Sequence, residues 1–206
     1  MSRARSSPVS SPRVSLHPRL KRSTPPEWLE AVLADFDGFL LDHAACERKA
    51  SGSALSMLAH YPDRRRLADA MVELACEELD HFARVYRHIA SRGLSLRRDS
   101  KSAYAHRLAA AFRSGSEAYF LDRLLASGIM EARGCERFGL VAGALPPGPL
   151  QDLYRELTVS EARHRGLFVR LARHYFDAAA VHARLEELLD VEAEIVQSLP
   201  LRAAVY

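Results

Sequence analysis

The chain has 206 residues, of which 48% are hydrophobic, and its formal net charge is +3 at pH 7. This length and apolar content are typical of one globular domain with a sizeable core. No stretch of 18 uncharged apolar residues is present, and the first residues lack the apolar segment of a secretory signal. Neither a membrane span nor a secretory leader is therefore expected.

Alanine, leucine, arginine and glutamate predominate and β-branched runs are scarce, which favours an all-α fold. The three cysteines, Cys46, Cys76 and Cys135, lack paired spacing. They argue against a disulfide framework and indicate a reducing compartment, so a cytoplasmic location is expected.

Basic charge is concentrated at the start of the chain. Residues 1–23 are rich in serine, proline and arginine and contain no acid, so they are predicted to form a disordered basic tail. Such a tail could bind a nucleic-acid backbone or be merely solvated, and the sequence leaves both open. The folded domain is predicted to span residues 24–200.

Helical patterns follow the tail, separated by proline and glycine. Thr24 is expected to cap the first helix, and Pro62 marks its end. The last helix is strongly acidic and is expected to pack with a solvated face. Predicted helices span about residues 24–60, 62–92, 102–112, 116–143, 150–175 and 178–198.

Two of these helices carry the pattern Glu-x-x-His, at Glu78–His81 and at Glu161–His164. Residues three apart lie on the same face of a helix, so each glutamate can point the same way as its histidine. Two such motifs, with one further glutamate from each of two other helices, form a carboxylate-bridged two-metal site in a four-helix bundle.

The further glutamates occur at matching distances. Glu47 precedes the first motif by 31 residues, and Glu131 precedes the second by 30 residues. A proline-containing turn falls near the middle of each interval, at Pro62 and at residues 146–149. Two helix hairpins folded at these turns would return the second carboxylate to the level of the first.

Three nearby residues are either alternative metal ligands or possible hydrogen-bond partners of a ligand. Glu77 lies four residues before His81 and is a less favoured ligand than Glu78. Glu136 competes with Glu131, because a π-bulge at the glycines of this helix would turn it toward the same face. His43 lies one turn before Glu47 and is either a partner of that carboxylate or an ordinary core histidine.

Four carboxylates and two imidazoles suit a pair of iron or manganese ions, and iron is the preferred choice. A di-iron pair of this kind can bind and reduce O2. The spacing of the ligands does not decide whether the oxidant meets an organic substrate, more iron or peroxide.

Four segments together carry a family resemblance: DHAACERKA at 42–50, EELDHF at 77–82, MEARGCERFG at 130–139 and SEARH at 160–164. Over about residues 25–200 the chain resembles the tRNA hydroxylases that act on 2-methylthio-N6-isopentenyladenosine. Those enzymes are non-haem di-iron monooxygenases. The resemblance implies a ferritin-like four-helix bundle with an additional C-terminal helix and a short connector helix.

The resemblance also implies a ligand set and a reaction. Glu78 and Glu161 would bridge the metals, and no catalytic residue is expected beyond the ligands. The reaction would be O2-dependent hydroxylation of the isopentenyl side chain in tRNA. An external reductase would supply electrons, because the chain carries no flavin or iron–sulfur motif. The implied ligands are Glu47, Glu78, His81, Glu131, Glu161 and His164.

Basic residues in two places are candidate contacts for the tRNA phosphates. They are Arg64, Arg65, Arg66, Arg97, Arg98 and Lys101. Two other functions stay open: a different ferritin-like di-iron or di-manganese protein that oxidises iron or handles peroxide, and a metal-free helical RNA-binding adaptor. A monomer and a dimer are both compatible with the sequence.

Overall fold

The computed structural model describes residues 17–206, and the regular secondary structure in this part of the chain is entirely helical. The predicted all-α class is therefore confirmed. Residues 1–16, most of the predicted basic tail, lie outside the described part. The helices are α1 (Pro26–Ala34), α2 (Phe36–His60), α3 (Arg65–Ser91), α4 (Ala103–Ala109), α5 (Ser116–Ala144), α6 (Pro149–Tyr175) and α7 (Ala178–Ser198).

Two long helix hairpins form the body of the molecule. Helix α2 packs along α3, helix α5 packs along α6, and the hairpins meet where α3 contacts α6. Helix α7 lies against α5, and the short α4 lies against α7. The result is a four-helix bundle with a C-terminal helix and a connector helix, as predicted, and with α1 as a further short helix.

The first predicted helix is broken at Asp35, so the prediction of one helix over 24–60 was wrong. The backbone of Asp35 is not helical (φ −133°, ψ 63°), and its carboxylate accepts a hydrogen bond from the N–H of Gly38 at 3.0 Å. A Cβ on residue 38 would lie 2.2 Å from that carboxylate. Glycine therefore lets aspartate cap the start of α2.

Residues 17–23 lie against the bundle, although they were expected to belong to the disordered tail. The ammonium of Lys21 is 2.7 Å from Asp190 and 3.2 Å from Glu186, on the acidic face of α7. The carbonyl of Arg22 accepts a hydrogen bond from buried Arg133 at 2.8 Å. Opposite charge and a buried donor thus hold this segment in place.

Thr24 does not cap α1, contrary to expectation. Its N–H and its hydroxyl donate hydrogen bonds of 2.9 and 2.7 Å to Glu136. Pro25 occupies the capping position and offers no side-chain hydrogen bond. Helix α5 is α-helical throughout, without the π-bulge considered for it, so Glu136 stays on the face toward Thr24.

Helix α7 is not simply a packing helix with a solvated acidic face. Glu192 is fully buried and accepts hydrogen bonds from Arg133, at 2.9 and 3.1 Å, and from the hydroxyl of Tyr104, at 2.9 Å. Arg133 is also fully buried and contacts Glu136. One buried ionic network therefore joins α5, α7 and the connector helix.

The apolar core is divided into two clusters. Along each bundle helix, residues of one cluster precede the metal-ligand candidate and residues of the other follow it. A layer of polar side chains thus crosses the bundle between the two apolar clusters. The flanking pairs are Ala44 and Ala54, Ala75 and Val85, Ile129 and Phe138, and Leu157 and Phe168.

No helix within residues 17–206 is both long enough and apolar enough to cross a membrane.

Candidate metal centre

The polar layer brings together all six side chains that the sequence singled out as metal ligands. They fall into two groups of four, and within each group the candidate ligand atoms lie within 4.8 Å of one another. Glu78 and Glu161 belong to both groups. The first group is Glu47, Glu78, His81 and Glu161, and the second is Glu78, Glu131, Glu161 and His164.

Helix geometry explains this meeting. The hairpin turns return α3 past α2 and α6 past α5, so single glutamates on α2 and α5 face the Glu-x-x-His motifs on α3 and α6. Glu136, the rival of Glu131, lies outside both groups and is held by Thr24 and Arg133.

Several atoms of the layer lack hydrogen bonds. Nδ1 of His164 lies 2.9 Å from Oε1 of Glu78, yet neither atom has a hydrogen-bond partner of acceptable geometry. Both side chains are almost fully buried, with exposures of 3% and 1%. Because unpaired polar atoms are costly inside a protein, this arrangement fits side chains whose partner is a bound cation.

The pKa values of the carboxyls in the layer also indicate a bound cation. Burial and the neighbouring carboxylate of Glu78 raise the pKa of Glu47 well above its usual range. Burial and the neighbouring Glu131 raise the pKa of Glu161 in the same way. Without cations the protonated forms of these carboxyls are therefore favoured more than in water, and divalent ions that bind here would displace protons. The donor set of carboxylates and imidazoles fits iron or manganese.

His43 is a buried partner of Glu47. Its Nε2 lies 2.5 Å from Oε1 of Glu47, and its Nδ1 lies 2.9 Å from the hydroxyl of Tyr154. Burial lowers the pKa of His43 to about 3, so the ring is neutral. When a cation is bound and Glu47 is ionised, its carboxylate can only accept a hydrogen bond, so Nε2–H of His43 donates to it while Nδ1 accepts from the hydroxyl of Tyr154. These two hydrogen bonds of His43 fix the orientation of the Glu47 carboxylate.

Glu77, the less favoured alternative to Glu78, faces His164 from the outer side. Its Oε2 is 3.0 Å from Nε2 of His164, an ion-pair distance without the geometry of a hydrogen bond. Its Oε1 accepts a hydrogen bond of 2.7 Å from Ser160. It also contacts Arg163 at 2.5 Å. Glu77 is therefore placed to orient the ring of His164, as carboxylates commonly do behind metal-binding histidines.

A cavity of about 280 Å³ adjoins the polar layer. Its inner wall includes the four candidate carboxylates, and its apolar walls include Met57, Met71, Leu74 and Phe168. Lys49, Lys101 and Arg202 also line it. Because Lys101 and Arg202 are exposed and Lys49 is half-buried, these cations mark the mouth.

Of the six predicted phosphate contacts, Lys101 lines this cavity. Arg64 contacts Glu117, and its guanidinium lies 4.1 Å from the centre of the Phe120 ring, at the start of α3. Arg65, Arg66, Arg97 and Arg98 are exposed and are absent from the cavity lining.

Sequence reasoning missed Lys49, Arg202 and Tyr206 as cavity residues. Tyr206 donates a hydrogen bond of 3.1 Å to the carbonyl of Met130, next to Glu131. Lys49 follows Glu47 by two residues, which was an available signal. The other two residues follow the last helix, where no motif marks them.

Fold and polar layer together define a ferritin-like four-helix bundle with a candidate metal centre. A family model described as tRNA-(MS[2]IO[6]A)-hydroxylase (MiaE) matches residues 13–203. The chain belongs to this family.

Two curated relatives carry the name tRNA 2-(methylsulfanyl)-N(6)-isopentenyladenosine(37) hydroxylase. The protein from Pseudomonas putida is 38% identical over 175 residues, which are 85% of each chain. The protein from Salmonella typhimurium is 34% identical over 157 residues, which are 76% of this chain and 57% of that protein.

A solved structure is also similar. It is titled Protein 43 with aldehyde deformylating oxygenase activity, from Synechococcus. The two chains are 36% identical, the TM-score is 0.85, and the match covers 89% of this chain and 92% of that one.

Proposed function

We propose that this protein is a tRNA hydroxylase. It inserts one oxygen atom of O2 into the isopentenyl side chain of 2-methylthio-N6-isopentenyladenosine in tRNA, using two iron ions held by the six side chains of the polar layer. Membership of the family and the names of both relatives support this substrate. One observation carries the proposal most directly: the candidate carboxylates form the inner wall of a cavity that opens at the surface between cations.

The proposed site assigns each part of the layer a task. Glu47 and His81 would hold one iron ion and Glu131 and His164 the other, while Glu78 and Glu161, which belong to both groups, would serve both ions. Two iron ions bound there would supply the activation of O2. An external reductase provides two electrons, so that the second oxygen atom leaves as water.

The cavity walls select the substrate and protect the reaction. Met57, Met71, Leu74 and Phe168 are apolar and suit a branched five-carbon chain. They also exclude water from the side chain that is to be hydroxylated. The base and ribose to which that chain is attached remain toward the mouth.

Single-turnover oxidation tests the proposal. Reduced, iron-loaded protein is mixed with O2 and tRNA bearing the modified adenosine, and the nucleosides are analysed by mass. We expect a gain of one oxygen atom on that nucleoside with the wild-type protein and none with Glu78→Ala. Glu73→Ala is the matched control, because Glu73 is an exposed glutamate on the same helix.

Other outcomes would point elsewhere. Iron oxidation with an unchanged nucleoside would reject tRNA hydroxylation and favour an iron-oxidising or peroxide-handling protein. Tight tRNA binding without iron would favour the metal-free adaptor. Deformylation of an added aldehyde, with the nucleoside unchanged, would assign the activity named for the Synechococcus protein.

A further inference from the structure

Three cations from three separate parts of the chain line the outer part of the cavity, where the half-buried carboxyl of Asp42 is the accompanying acid. Lys49 belongs to α2, Lys101 precedes α4, and Arg202 follows α7. All three line the cavity whose inner wall is the carboxylate layer. We call Lys49, Lys101 and Arg202 the basic rim.

The segment between α3 and α4, which carries Lys101, is fixed to α2. The ammonium of Lys49 donates a hydrogen bond of 2.8 Å to the carbonyl of Ser100, and Arg48 pairs with Asp99. These two contacts hold the backbone next to Lys101. The rim therefore has a defined position relative to Glu47, which directly precedes Arg48.

The segment that carries Arg202 is also fixed. The N–H of Val205 donates to Asp42 at 2.7 Å, and the carbonyl of Val205 accepts from Arg137 at 2.6 Å. The indole of Trp28 donates to the carbonyl of Ala204 at 3.0 Å. Arg202 thus stands on a pinned segment rather than on a free chain.

We propose that the basic rim binds the phosphodiester backbone of the RNA strand on both sides of the nucleotide that enters the cavity. This inference rests on the proposed function and adds the residues that select a polynucleotide. When the isopentenyl group occupies the apolar cavity, the ribose and its flanking phosphates lie at the mouth, where the cations are. Single-stranded loops whose bases are turned outward are the form of RNA that proteins read in this way.

Binding is measured with the anticodon stem–loop RNA, and turnover with that RNA and with the free modified nucleoside. The variants are Lys49→Ala, Lys101→Ala and Arg202→Ala. The double variant Arg65→Ala/Arg66→Ala is the matched control, because these exposed arginines lie outside the cavity lining.

Each rim substitution should weaken RNA binding about fivefold at 0.1 M salt. It should also make the negative slope of the logarithm of the association constant against log salt shallower by about 0.7, the value for one phosphate contact in a single strand. Turnover of the free nucleoside, which has no phosphate, should fall much less than turnover of the RNA. The control should bind RNA as the wild type does. Far-UV circular dichroism shows that each variant is folded.

The outcomes separate the rim from the reaction. If the wild type hydroxylates the RNA nucleoside but the rim variants bind RNA with wild-type affinity and salt slope, the rim proposal is overturned. It is likewise overturned if the control alone loses RNA affinity. If the wild type leaves the nucleoside unchanged, the proposed function fails, while weaker RNA binding by the rim variants would still support the rim.

Discussion

Oε2 of Glu77 lies 3.0 Å from Nε2 of His164, while Nδ1 of the same ring lies 2.9 Å from Oε1 of Glu78. Two adjacent glutamates on α3 therefore face the two nitrogens of one histidine on α6. One carboxylate belongs to the candidate ligand set, and the other stands behind the ring. The spacing to His81 favoured Glu78 as the ligand, whereas the approach of Glu77 to His164 could not be read from the sequence.

The outer carboxylate should tune metal binding. Glu77→Gln keeps the shape of the side chain but removes the charge that orients His164, so metal affinity should fall about 10- to 100-fold. Anaerobic titration with Fe²⁺ measures this change. Asp80→Asn, an exposed acid on the same helix, should leave the affinity unchanged. Equal affinities for Glu77→Gln and the wild type would remove this role from Glu77.

The buried pair Arg133–Glu192 should matter greatly to stability. Arg133→Met leaves the Glu192 carboxylate buried without its cation, so the free energy of unfolding should fall by about 3–5 kcal/mol. The double variant Arg133→Met/Glu192→Leu removes both charges and should recover most of the loss. Urea unfolding measures both. A loss below about 1 kcal/mol in the single variant would show that the pair is not closed to water.

Asp122 should make the free energy of unfolding depend on pH in the acidic range. Burial alone would raise the pKa of Asp122, but hydrogen bonds from Arg184 and Arg113 outweigh it and lower the pKa below its usual 3.8. Its contribution is therefore complete above about pH 4 and is lost as the pH falls through the lowered value. Asp122→Asn should cost about 2 kcal/mol at pH 7.

Urea unfolding from pH 7 to pH 3 checks the sign for Asp122. The gap between the wild type and Asp122→Asn should be constant near neutrality and should narrow below about pH 4. A gap that widens in acid would contradict the assignment of these two arginines as its partners.

Gly134 should be the glycine of α5 that resists a methyl group because of Tyr206. A Cβ there would lie 3.2 Å from the Tyr206 hydroxyl, whereas a Cβ at exposed Gly52 on α2 meets nothing within 4 Å. Gly52→Ala should therefore raise the free energy of unfolding by about 1 kcal/mol, through helix propensity. Gly134→Ala should give no such gain.

The hydroxyl is responsible if its removal restores the gain. In a Tyr206→Phe background, Gly134→Ala should stabilise by up to about 1 kcal/mol. Thermal unfolding of the four variants in this cycle measures the coupling. The same cost for Gly134→Ala in both backgrounds would mean that another contact limits the site.

The sequence predicted the helices of the bundle and the side chains that meet between them, because both depend on local periodicity. Glu-x-x-His places two ligands on one helix face, and equal spacings place Glu47 and Glu131 opposite them. The start of α2 was less visible, since Asp35 caps that helix only because Gly38 leaves room for its carboxylate.

Features that depend on long-range contacts were not predictable from the pattern. Glu192 looked like one acid among several on a solvated helix, and only its buried contact with Arg133 distinguishes it. Arg64 looked available to phosphate, yet it lies over the Phe120 ring. Arg202 lines the cavity because the segment after α7 folds back over the bundle.

We propose that one chain holds two metal ions in the polar layer. Anaerobic titration with Fe²⁺, followed by iron analysis after gel filtration, tests it without requiring activity. We expect two iron ions per wild-type chain and strong loss of binding in Glu78→Ala/Glu161→Ala, which lacks both shared carboxylates. A wild-type chain that retains one iron ion or none, or a double variant that retains two, would contradict it.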